Sequence, residues 1–153
     1  MNSAGSTRLR VVLDTNIVLV LLTSHSRWYG IYRALEEGAY TLVVSNEIVS
    51  EYAEKIHSKY DRATAENFLR TLLTLPNVEF QEIYYRWNLI AADADDNKFV
   101  DCAVAASVDC LVSEDRYFDI LAEISFPSVR RFRLAQSIAL LSPDTKSDTT
   151  EAM

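Results

Sequence analysis

Apolar residues along this chain fall into two alternating patterns. Short, largely β-branched runs occur at Leu9-Arg10-Val11-Val12-Leu13, Thr41-Leu42-Val43-Val44 and Cys110-Leu111-Val112. Each is followed at once by turn-forming or helix-capping residues: Asp14-Thr15-Asn16, Ser45-Asn46 and Ser113-Glu114-Asp115. These read as strands that end in polar residues. A further run, Val129 to Phe132, carries Arg130 and Arg131 and is followed by Arg133, which fits an edge strand. Between the strands the spacing becomes helical. Ile48, Val49, Tyr52 and Ile56 share one stripe, as do Phe68, Leu69, Leu72, Leu73 and Leu75, and then Phe99, Val100, Ala103, Val104 and Ala106. Leu134 to Leu141 reads as a closing helix. Alternating strands and amphipathic helices predict an α/β fold, a three-layer α/β/α arrangement whose central, mostly parallel sheet is covered on both faces. The segment from Phe80 to Asp96 follows neither period and is left as strand or irregular loop.

The chain's 153 residues suit one domain. We place it at 8–141, with flexible tails at 1–7 and 142–153 that are rich in Ser, Thr and Asp. Composition changes the picture in four ways. A net charge of −7 argues against a broad basic surface for nucleic acid. Cys102 and Cys110 lack zinc-ligand spacing and read as buried free thiols of a reducing compartment. His25 and His57 both sit in polar stretches, as surface residues do, which leaves Ser/His/Asp and Cys/His catalysis without its base. No apolar run near the N-terminus approaches the roughly 20 residues of a membrane span. A cytoplasmic protein with no membrane partner is therefore expected.

The surplus acids need an explanation, and position supplies one. In open α/β sheets, sites form beyond the carboxyl ends of the strands. Asp14 and Asp115 both fall there, although each alone would serve as a helix cap or turn former. A helical wheel separates the acids of the middle helix: Glu51 lies about 115° from the centre of the apolar stripe, Glu47 about 155° and Glu54 about 175°. Glu51 thus borders the core, its bland alternative being an exposed pair with Lys55. In the next helix Asp96 lies about 10° from the centre of the stripe, and Asp101 falls on the opposite face, about 150° away. A cap accounts for one carboxylate at that helix start but not for several. Carboxylates gathered at one edge raise each other's pKa unless a cation neutralises them. All-oxygen ligands suit Mg²⁺ or Mn²⁺, which also bind phosphate oxygens and activate water, so metal-assisted phosphodiester hydrolysis is the reaction class indicated.

These residues resemble the PIN domain family, in particular the PIN ribonucleases that act as toxins of toxin–antitoxin pairs. The likeness spans about Arg8 to Phe118. Its parts are Val11-Val12-Leu13-Asp14-Thr15-Asn16, then Ser45 with Glu51, then Asp95-Asp96-Asn97-Lys98-Phe99 heading an Ala-rich helix, and Val112-Ser113-Glu114-Asp115. The resemblance implies a PIN-like fold and a metal-dependent endoribonuclease that hydrolyses RNA. Asp14, Glu51, Asp96 and Asp115 would be its catalytic, metal-binding acids, with Asn16, Ser45 and Ser113 as supporting polar groups. A one-residue shift of register would substitute Asp95 for Asp96, and Asp101 matches an acid in some relatives. The implied cofactor is Mg²⁺ or Mn²⁺, and the implied partners are an RNA substrate and a cognate antitoxin protein, with a homodimer left open. Arg27, Arg33, Lys98 and Arg116 lie near the proposed edge in sequence and are the candidate RNA contacts. Trp28, Tyr29 and Tyr32 could stack on unpaired bases, but their helical spacing reads first as core. The competing reading is a catalytically silent PIN-like module for RNA binding or assembly. Phosphatases that open with strand and Asp need a second Asp two residues on, where this chain has Asn16.

Overall fold

The computed structural model describes residues 8–23 and 26–142. His25 and the segments 1–7 and 143–153 lie outside the described residues. Five strands, β1 (Arg10–Leu13), β2 (Thr41–Val44), β3 (Val78–Phe80), β4 (Cys110–Val112) and β5 (Arg131–Phe132), form one sheet in the order β3-β2-β1-β4-β5. Every pairing is parallel, with Val11 opposite Leu42 on one side and Cys110 on the other. The three central strands are the apolar runs predicted, and Val11, Val12, Leu42, Val43, Val44, Leu111 and Val112 are wholly buried. Strands covered on both faces read as continuous apolar runs for that reason.

Helices α1 (Thr15–Leu21) and α2 (Tyr29–Glu36) connect β1 to β2, and α3 (Asn46–Lys59) and α4 (Arg62–Thr74) connect β2 to β3. A 3-10 turn (Ala94–Asp96) leads into α5 (Asn97–Ala106) before β4, a second 3-10 segment (Arg116–Glu123) joins β4 to β5, and α6 (Leu134–Leu141) closes the fold. Right-handed crossovers put the two connections that run from β1 towards β3 on one face and those running back towards β5 on the other. That is the expected α/β/α layering. Each stripe of the sequence reading has its buried members: Ile48, Tyr52 and Ile56 in α3, Phe68 and Leu72 in α4, and Phe99, Val100 and Ala103 in α5.

Local signals fix the helix ends. Ser45 accepts a hydrogen bond from the Ile48 N–H at 3.2 Å and Asp61 one from Thr64 N–H at 2.7 Å, each a side-chain cap. Helix α2 stops where Gly38 takes φ 82°, a left-handed conformation that glycine adopts without steric cost. Of the ambiguous stretch only Phe80 lies in β3, the outer strand beyond β2; an irregular run follows over 81–93 and ends in the 3-10 turn Ala94–Asp96. β5 is the opposite edge, two residues long and half-buried. Ser142, assigned to the tail by composition, is buried and donates its N–H to the Ile138 carbonyl at 3.0 Å. Cys102 and Cys110 are buried free thiols, and burial pushes both up to about 12, so they are inert packing groups.

The connections leaving β1 and β4, which are neighbours, run in opposite directions. Their carboxyl ends therefore flank a topological switch point, where open α/β sheets leave a crevice.

Candidate functional site

Asp14 and Ser113 stand at that crevice, at the ends of β1 and β4. Asp14 occupies the residue before α1 but makes no side-chain capping bond. Its Oδ2 instead accepts from the Ser113 hydroxyl at 2.8 Å, and that hydroxyl accepts from the Asp115 N–H at 3.0 Å. One serine thus ties the two strand ends together. Asp14 is 4% exposed, and burial, with Asp115 and Glu51 nearby, holds its carboxyl above the usual range against the pull of the Ser113 bond.

Asp115 heads the second 3-10 segment, and its Oδ1 accepts from Tyr117 N–H at 2.9 Å. Its capping role is real. Yet the same carboxylate meets Asp93 and Asp96, and one oxygen from each of the three lies within 4.8 Å of the others. Asp96 is 8% exposed, makes no capping bond to α5, and its Oδ2 is buried without any hydrogen-bond partner. Burial first, then the charges of Asp14, Asp115 and Asp93, push it up to about 7. Such a group is costly in isolation, since an unsatisfied buried carboxylate loses its hydration without return.

A divalent cation fits this donor set. Three carboxylates offer only hard oxygens, and one oxygen of each lies within 4.8 Å of the other two, a spacing near that of ligands about an octahedral Mg²⁺, which stand roughly 3.0–4.2 Å apart. The orphaned Asp96 oxygen is the atom such an ion would satisfy.

Glu51 stands beside this cluster with its own partners. It receives the Thr15 hydroxyl at 2.5 Å and the Lys98 ammonium at 2.6 Å, rather than pairing with Lys55. Lys98 also donates to the Asp95 carbonyl at 2.7 Å, so its charge is spent inside the site. α3 reaches the strand end because the buried Tyr52 hydroxyl donates to the Leu13 carbonyl at 2.6 Å.

The remaining expected residues scatter. Asp95 is exposed, its N–H donating to the Asp93 Oδ1 at 3.1 Å, so of the adjacent pair it is Asp96 that faces inward. Asp101 is buried away from the cluster, where the irregular run over 81–93 covers it and its Oδ1 accepts from Trp87 N–H at 2.9 Å. The wheel puts it opposite the core stripe, and it is there, but under a loop that has no period to read. Ser45 caps α3, and Asn16 is exposed at the start of α1. Arg27 lies 4.5 Å from the Trp28 ring, Arg116 lies 5.5 Å from that of Tyr117, and Arg33 pairs with Glu37 at 3.4 Å. Trp28 and Tyr32 pack against the core.

Two contributors escaped the sequence reading. Asp93 sits before the 3-10 turn, outside the register of the helical wheel; its only signal in the sequence is that it lies two and three residues before Asp95 and Asp96. Arg131, read as weakening an edge strand, donates to the carbonyls of Ser113 at 2.8 Å and Asp115 at 3.3 Å and pairs with Asp119. It braces the β4 end from the neighbouring strand.

A family model described as PIN domain matches residues 10–117. Among solved structures, the chain is similar to a crystal structure of VapBC2 from Rickettsia felis bound to a DNA fragment from their promoter. The identity is 15% and the TM-score 0.57, covering 82% of this chain and 98% of that one. It is also similar to VapBC-1 from nontypeable Haemophilus influenzae, at 14% identity and a TM-score of 0.53, covering 83% and 99%. At these identities the likeness is one of fold. No curated protein sequence matches the chain.

Proposed function

The chain belongs to the PIN domain family, whose members are in general nucleases, and from that membership and the acid cluster we propose that it is a divalent-metal-dependent endoribonuclease. The observation that carries this reading is the buried Asp96 oxygen left without a partner amid two further carboxylates. Asp93, Asp96 and Asp115 would hold one Mg²⁺ or Mn²⁺, with Asp14 adjoining. When bound, such an ion would supply Lewis acidity towards a phosphodiester oxygen and activate water for attack. The chain's own groups do the rest. Ser113 holds Asp14 and the Asp115 backbone in one orientation, and Arg131 fixes the peptide on which Asp115 stands. Lys98 and Thr15 orient Glu51. Glu51 then stands as an acceptor beside the cluster, suited to position water.

The toxin role and a cognate antitoxin partner, in the cytoplasm, are part of the same proposal. They are supported by the resemblance and by the VapBC pairs among the similar folds. Among the described residues no helix is long and apolar enough to cross a membrane.

Calorimetric titration with Mn²⁺ tests the site. We expect saturable binding that Asp96→Asn abolishes, together with Mn²⁺-dependent cleavage of single-stranded RNA. Absence of saturable binding would favour the catalytically silent module.

A further inference from the structure

A cavity of about 500 Å³ opens beside the acid cluster, within the range of about 300–1,000 Å³ typical of small-molecule sites. Its walls are continuous with the cluster in sequence. Ala91 and Ala92 run directly into Asp93, and Arg116 and Tyr117 follow directly on Asp115, to whose carboxylate the Tyr117 N–H is bonded. Ile120 and Glu123, one and two turns further along the same 3-10 segment, extend this wall. The wall is thus mainly apolar and aromatic, with a cation at the cluster end and a carboxylate further out. No group within it is needed for the hydrolytic step described above.

We infer that this cavity is a subsite for a single nucleobase of the RNA strand, and that Glu123 makes guanine the base preferred there. This rests on the nuclease reading, because the acid cluster then receives the phosphate of the same nucleotide. The chemistry matches group by group. The Tyr117 ring and the side chain of Ile120 offer apolar surface for a base face. Arg116, exposed and lying over Tyr117, offers a cation to the flanking phosphate. Glu123 accepts hydrogen bonds and cannot donate them when ionised. Guanine alone among the four bases presents adjacent N1–H and N2–H donors to such an acceptor, whereas uracil offers one N–H between two carbonyls. A protein partner's apolar side chain would use the same walls but would leave Arg116 and Glu123 without matching groups at the opposite ends.

The test uses the full chain loaded with Mg²⁺ and follows its backbone amides by NMR during titration with guanosine 5′-monophosphate, uridine 5′-monophosphate and ribose 5-phosphate. We expect amides of Ala91, Ala92, Tyr117 and Ile120 to shift with the guanine nucleotide and not with ribose 5-phosphate. Ile120→Trp, which fills the cavity from a half-exposed position, should weaken guanosine monophosphate binding about tenfold or more, comparable with losing one base–aromatic stack. Glu123→Gln should leave binding in place but level the preference between guanine and uracil. Equal shifts with ribose 5-phosphate, or unchanged guanine binding in an Ile120→Trp protein whose remaining amides are unmoved, would overturn the inference. The two readings fail separately. Base-dependent shifts without RNA hydrolysis would remove the nuclease and keep the nucleobase site, and hydrolysis without base-dependent shifts would do the reverse.

Discussion

Charge is handled in opposite ways at the two ends of the central strands. Where β1 begins, Arg10 forms an ion pair with Glu79, donates from its guanidinium to the Ala106 carbonyl at 2.5 Å, and donates its backbone N–H to the Asp109 Oδ2 at 2.8 Å. Glu79 and Asp109 both have partners there. Where β1 and β4 end, Asp93, Asp96 and Asp115 crowd together, and the inner oxygen of Asp96 has none. The entry end joins α5, β1, β3 and the start of β4, and its charges contribute to stability. The exit end retains a repulsion that a proton on Asp96 or a bound cation would relieve, as expected of residues placed for chemistry rather than for architecture.

The contrast can be broken most sharply at Asp96. Asp96→Asn should lower Mn²⁺-dependent RNA cleavage by about 100- to 1,000-fold, on the scale of losing one fixed electrostatic contact to a transition state. Cleavage would be followed on a labelled oligonucleotide, and near-wild-type rates would detach the cluster from the chemistry. Asp93→Asn, at the acid the helical wheel passed over, should cost about 10- to 100-fold through weakened metal affinity. A smaller loss there than in Glu51→Gln would move the ion towards Glu51.

Arg10→Met should act in the other sense. Losing a partly exposed ion pair and a carbonyl contact lowers unfolding free energy by about 1–2 kcal/mol in urea melts, with Mn²⁺ affinity intact. In metal-free protein Asp96→Asn should raise stability at pH 8, by about 1 kcal/mol, because it removes a buried charge that has no partner. The pH dependence follows from the same group. Asp96 is raised from 3.8 to about 7, so between those values the native state holds a proton that the unfolded chain has released. Its contribution is complete below about pH 4 and lost as pH rises through about 7. Without metal, the urea midpoint of the wild type should therefore fall between about pH 5 and 8 more than that of Asp96→Asn.

The sequence made the central sheet legible because β1, β2 and β4 are buried on both faces and leave unbroken apolar runs. It also made Asp14, Asp96 and Asp115 legible, since a strand end and a helical wheel are both local. Glu51 was placed on the correct border of α3, but its partner Lys98 comes from α5, across the fold, which no i,i+4 count could suggest. The edge strands were obscure for a physical reason. β3 and β5 are three and two residues long and only partly buried, so little hydrophobic signal is required of them. Arg131 looked out of place in a strand because its function is a bridge to carbonyls of the neighbouring strand end. Asp93 has no period at all, being positioned by a turn.

The hydrogen bond between Ser113 and Asp14 joins residues 99 positions apart. During synthesis the amino-terminal two-thirds of the chain emerges first and already carries Asp14, Glu51, Asp93 and Asp96, but β4 and Asp115 do not yet exist. The crevice cannot close until β4 inserts beside β1, a late, long-range parallel pairing of the slowest kind. A truncated chain that stops before Cys110 would lack both Ser113 and Asp115, so the carboxylate cluster is assembled only near the completion of the domain. For the ribonuclease proposed above, made in the cell whose RNA it would cut, that delay is an interval of innocence written into the strand order.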